Sequence, residues 1–147
     1  MADKTQLTLD RIFSSDEFKA ESFGPARWLE DGSGYTTLEA VENQSDDEET
    51  KVKELVRYDS ASGARTVLVT AAMLTPASAE KPLILENYDW SEDKKRLLIF
   101  TNSQRVWRQN TRGDYWVLDL ADGTLHQLGH DLPEASLMFA KFAPNGR

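Results

Sequence analysis

The feature that most constrains this chain is that the same order of signals runs through it twice, about 60 residues apart. Trp28 opens "WLEDGSGYTTLEA" and Trp90 opens "WSEDKKRLLIFTN", an offset of 62, and each leads through an acid-bearing turn (Asp31, Asp93) into a β-rich run. Further on, "RYDSASGARTVLVT" matches "VLDLADGTLHQLGH", with Asp59 against Asp119 and Gly63 against Gly123, both at an offset of 60. A fixed period of this size marks an array of equivalent supersecondary units. A third start is read at Phe142 in "AKFAPNGR", with Asn145 in the turn position of Asp31 and Asp93.

Each unit carries four strand signals: one around the Trp, one after the first turn, and two flanking the "D-x-x-x-G" hairpin. Four strands per repeat describe a propeller blade. A blade stacked between neighbours is covered on both faces, so its central strands read as continuous apolar runs, as "RLLIF" and "YWVLDL" do. Gly63 and Gly123 supply the positive φ that the hairpin turns require. The predicted fold is therefore all-β: an incomplete β-propeller of about two four-stranded blades plus the start of a third. Closed rings use about four to eight blades, so the chain is expected to be a fragment of a longer protein. Its open sheet edges make strand exchange between copies, and hence a homo-oligomer, an expected hazard.

Ahead of the blades, residues 1–23 read as a helical lead-in to a partial propeller over 24–147. In "QLTLDRIFSSDEF", Thr8 caps a short helix that sets Leu9, Ile12 and Phe13 on one face, and "SSDEF" starts another turn. The chain has 147 residues, 39% of them hydrophobic, enough for a core. Its 25 acidic residues against 17 basic ones give a net charge of -8, which opposes nucleic acid or an anionic membrane as partner. With no cysteine there is neither a disulfide framework nor a Cys-based zinc site. No apolar run has the length of a signal peptide or a membrane span.

Against this acidic background, "QRVWRQNTRGDYWVLDL" (residues 104–120) gathers Arg105, Trp107, Arg108 and Arg112 before an apolar strand. The reading is a long hairpin whose strands overhang the packed blade and present side chains at the tip. Arginines beside an aromatic ring can form an edge that binds carbonyls or carboxylates, since guanidinium offers five fixed donors and stacks on rings. The competing reading is a solvated ribbon whose arginines pair with local acids.

Other motifs read as ordinary. His126 and His130 in "HQLGH" have the four-residue spacing of metal ligands but lie in strand context around Gly129, without the Glu of H-E-x-x-H, so no metal is expected. The acidic run Glu42–Lys51 lacks calcium-loop spacing and reads as a solvated loop. Trp28, Trp90 and Trp116 recur at repeat positions that suggest packing. "DGSGY" is a turn and not a nucleophile elbow, and no phosphate or dinucleotide fingerprint occurs. No cofactor is expected, and the chain by itself is expected to be inactive.

Taken in order, "LTLDRIF", "RWLEDGSGY", "YDWSEDKKRLLIF", "VWRQNTRGDYWVLDL" and "AKFAPNGR" resemble the N-terminal propeller of dipeptidyl peptidase IV-like serine exopeptidases, in the prolyl oligopeptidase clan. The most specific piece is "WR", a short linker, then "YWVLDL". The resemblance implies a parent enzyme that removes N-terminal dipeptides with Pro or Ala second, its remaining blades and a C-terminal α/β-hydrolase domain with the Ser, Asp and His triad lying outside this chain. It implies that Arg108 reaches from the propeller to hydrogen-bond a substrate carbonyl oxygen. Trp107 is implied only as a neighbour that holds the loop, without substrate contact, and Arg105 and Arg112 as solvated hairpin residues. The family's paired glutamates, which bind the substrate amine, come from a later segment, and Glu42, Glu48 and Glu49 do not replace them. Export to the periplasm, with a signal absent from this sequence, is implied as well. The alternative from another class is a non-enzymatic propeller scaffold that binds a protein or peptide on its loop face. A freestanding β-sandwich carrier is a third.

Overall fold

Strands form where the repeat places them. The computed structural model describes residues 6–18, 23–41 and 51–144. Strands β1 (Ala26–Trp28), β2 (Gly34–Ala40), β3 (Lys53–Asp59) and β4 (Arg65–Val69) make one antiparallel sheet in sequential order. A second has the same order: β5 (Asn87–Trp90), β6 (Arg96–Val106), β7 (Gln109–Asp119) and β8 (Leu125–Gln127). A short strand β9 (Leu137–Met138) adds to this sheet by pairing with β7.

The turns repeat as closely as the strands. In the first turn of each sheet an aspartate Oδ1 accepts a backbone N–H two residues on, Asp31 from Ser33 at 2.9 Å and Asp93 from Lys95 at 3.1 Å. The next residue is left-handed in both, Gly32 at φ 69° and Lys94 at φ 57°. The later hairpins close in parallel fashion, with Gly63 N–H donating to Asp59 O and Gly123 N–H to Asp119 O, each at 2.9 Å. Those glycines sit at φ 69° and 74°, conformations that glycine adopts without steric cost.

The core lies between the two sheets. Leu38, Leu55 and Val69 from the first meet Tyr88, Leu97, Ile99 and Leu118 from the second, with Leu74 and Leu85 of the connecting segment completing the cluster. Polar contacts fix how the blades stack. The Tyr88 hydroxyl donates to Thr36 O at 2.7 Å, and Trp90 Nε1 donates to Thr36 Oγ1 at 3.2 Å. Arg27 reaches across to Asn87 Oδ1 at 3.0 Å and Asp89 Oδ1 at 3.5 Å. Alternation turns Leu97 and Ile99 toward this core and Leu98 to the opposite face, yet all three are buried, as strands covered on both sides should be.

One expectation about the tryptophans is corrected. Trp90 and Trp116 pack against the core, whereas Trp28 is 70% exposed. Trp28 and Trp90 occupy the same repeat position, on the face each blade turns toward its predecessor. Trp90 finds the first blade there, but no described sheet precedes Trp28, whose ring meets Tyr35 of its own sheet at 5.4 Å.

The lead-in forms α1 (Leu9–Phe13) and a 3-10 turn (Asp16–Phe18), with the Thr8 hydroxyl accepting Arg11 N–H at 3.2 Å as the cap. Leu9, Ile12 and Phe13 are exposed, so the apolar face covers nothing among the described residues. The acidic run at 42–50 and the turn residue Asn145 lie outside the described residues. At the third start, Phe142 is in no strand, and the chain instead pairs back onto β7 through β9. Among the described residues, no helix is long and apolar enough to cross a membrane.

Candidate functional site

The basic cluster lies on the longest hairpin of the fold. β6 and β7 pair from Arg96↔Asp119 to Val106↔Gln109, with Trp107 and Arg108 alone forming the turn. Burial along β6 ends at Thr101, and outward from there the ribbon leaves the packed blade, as its change from "LLIF" to "TNSQR" predicts. Register shifts between Thr101 and Arg105 bend this outer part. Asn102, at φ 49°, marks the bend and is a residue that tolerates the left-handed region.

Side chains that the sequence reading missed brace the overhang. Glu86 accepts Ser103 N–H at 2.8 Å and also the Ser103 hydroxyl, which in turn accepts Asn110 Nδ2 at 3.1 Å. Asn102 Nδ2 donates to Asp114 Oδ2 at 2.8 Å, and Asp114 Oδ1 accepts Ala135 N–H at 2.8 Å. β9 pairs alongside at Arg112 and Gly113. The close fit of the root is plain at Gly113, where a Cβ would stand 2.4 Å from the Phe100 ring and 2.8 Å from Thr101 O. Asn102 and Ser103, polar residues inside a strand, were the sequence signal for this bulge; the roles of Glu86 and Ala135 depend on tertiary placement and had none.

The three arginines separate by partner. Arg105 Nε donates to Trp107 O in the hairpin turn at 3.1 Å, and Arg112 Nε donates to Ala135 O in the segment before β9 at 3.2 Å, so each has a backbone partner. Both residues are exposed, and among the described residues neither pairs with an acid. Arg108 is exposed at the turn and has no hydrogen bond or ion pair among the described residues. Its five donors are free for an external acceptor.

Trp107 departs from the expectation that it holds the loop. Its ring is 93% exposed, so it does not pack the hairpin from within. Trp107 has φ 62° and Arg108 does not share the positive sign, the pattern of a II′ turn, whose first central position favours glycine.

The other candidates stay apart from this tip. His126 is exposed on β8 and His130 is exposed beyond it. Among the described residues, no group of three or more His, Cys, Asp or Glu could hold a metal. A cleft of about 230 Å³ lies on the outer face of the second sheet, bordered by Leu98, Phe100, Asn110, Tyr115, Phe139 and Lys141.

Residues 91–147 match the family model described as the dipeptidyl peptidase IV N-terminal region. The chain is 28% identical over 148 residues to a probable dipeptidyl-aminopeptidase B of Aspergillus terreus, covering 98% of this chain and 16% of that protein. It is 40% identical over 50 residues to dipeptidyl aminopeptidase B of Saccharomyces cerevisiae, covering 34% of this chain and 6% of that one. Among solved structures, Porphyromonas gingivalis dipeptidyl peptidase 4 matches with a TM-score of 0.71 at 25% identity, covering 96% of this chain and 18% of that one. The chain thus spans about one sixth of the length of relatives that it matches from end to end.

Proposed function

We propose that this chain, which is similar to the dipeptidyl peptidase IV N-terminal region, serves a serine dipeptidyl peptidase as one wall of the peptide site. Arg108 is the substrate contact. The observation that carries this is the division of labour among the arginines: Arg105 bonds the turn carbonyl of Trp107 and Arg112 the carbonyl of Ala135 beside the ribbon, while Arg108, at a braced tip, has no partner among the described residues.

A guanidinium held in place before substrate arrives loses little freedom on binding. It can fix the carbonyl of an N-terminal dipeptide so that the following peptide bond meets the nucleophile in one orientation. The nucleophile, its acid–base partners and the groups that neutralise the substrate's amine belong, in this reading, to the remainder of the polypeptide. The substrates are peptides with Pro or Ala second, and the site is exported, to the periplasm in a bacterial source. Relatives that match the whole chain carry dipeptidyl peptidase names, which supports the reaction class.

The test is to assay the full-length polypeptide with Gly-Pro-p-nitroanilide and with the same compound acetylated at its amine. Release of nitroaniline from the free-amine substrate alone is expected. No release from either, or equal release from both, overturns the assignment.

A further inference from the structure

Resting on the proposed peptidase reading, we propose that the Trp107 indole is a second substrate contact, a flat platform that favours large apolar or aromatic side chains on the dipeptide held by Arg108. Backbone and side chain are in conflict at this residue. The turn places residue 107 at φ 62°, where a Cβ is disfavoured and glycine is the usual occupant. The sequence instead supplies its bulkiest residue type and leaves that ring 93% exposed. Among the described residues the indole has no contact that offsets this strain, and the hydrogen bond from Arg105 Nε to Trp107 O uses only the backbone of residue 107. Strained positions of this kind persist where the side chain is used.

The ring's use is placed by its neighbour. Trp107 is adjacent to the unpartnered Arg108 on a two-residue turn, at the end of a ribbon fixed by Glu86, Asn102, Ser103, Asn110 and Asp114. A peptide whose carbonyl is held by Arg108 brings a flanking side chain within reach of the indole. An aromatic face of this kind gains from stacking and from covering apolar surface.

The experiment compares kcat/KM of the full-length polypeptide for Phe-Pro-p-nitroanilide and Gly-Pro-p-nitroanilide. In Trp107→Gly, which suits the turn's backbone and so keeps the hairpin, the Phe-Pro to Gly-Pro ratio should fall by about threefold to tenfold, the range of one aromatic contact. Trp107→Phe should restore most of it. Arg108→Ala should instead lower both substrates together with the ratio kept, so failure of the arginine contact and failure of the tryptophan platform give different results. An unchanged ratio in Trp107→Gly, or a ratio that Trp107→Phe fails to restore, overturns the proposal.

Discussion

At the scale of single residues, equivalent positions in the two blades solve the same backbone problem with different chemistry. Gly32 and Lys94 occupy the same left-handed turn position, at φ 69° and 57°. Lysine pays a steric penalty there that glycine does not, and its ion pair with Glu30 is a surface contact at 3.3 Å. Replacing Lys94 by Gly should therefore raise stability by about 0.5–1 kcal/mol, the gain expected when a Cβ is removed from positive φ. Urea denaturation checks this, and a lower midpoint would show that the side chain contributes more than the backbone loses. The residue scale also shows where sequence reading stops. The glycines at 63 and 123 announce their turns, but nothing in "VWRQ" announces a left-handed tryptophan, because the two-residue turn is set by pairing of the strands around it.

At the scale of elements, the aspartates that open the turns act as fixed acceptors. Hydrogen bonds to Ser33 hold Asp31 below its ordinary value of 3.8, those to Ser62 do the same for Asp59, those to Ser91 and Lys95 for Asp93, and those to Thr124 for Asp122. Each folded pKa is depressed, so each contribution is fully present above the unfolded value and is lost as pH falls through the folded one. The urea midpoint should thus decline as pH drops below about 4, the unfolded range of Asp. The double variant Asp59→Asn, Asp93→Asn should show a shallower decline, and an unaltered slope would remove these turns from the acid response. The strands and turns of both blades were legible because period, apolar runs and turn residues agree. Coverage of a face was not, since it depends on what stands opposite. Trp90 and Trp28 share one repeat position, yet one is packed and the other exposed. The pairing of β9 with β7 likewise arises from where the chain returns, and the Phe142 start carried no sign of it.

At the scale of the molecule, two stacked blades hold one long ribbon away from the core. Apolar packing between the sheets, joined by Tyr88, Trp90 and Arg27 across them, makes the rigid base. The connections at Ile84–Glu86 and Ala135–Met138 clamp the ribbon from either side, with Thr101 Oγ1 donating to Ile84 O at 2.6 Å. Sequence reading placed the overhang and singled out Arg108 through family resemblance; the structure adds the backbone carbonyls that the other two arginines bond. The central claim is that Arg108, alone among the three, is a substrate contact. The most direct test is kcat/KM for Gly-Pro-p-nitroanilide in the full-length polypeptide carrying Arg108→Ala or, as control, Arg105→Ala. A lost charge-assisted hydrogen bond of about 1.5–3 kcal/mol predicts a fall of about tenfold to a hundredfold for Arg108→Ala and a much smaller one for Arg105→Ala. An unchanged value for Arg108→Ala, or equal losses in the two variants, would contradict the account.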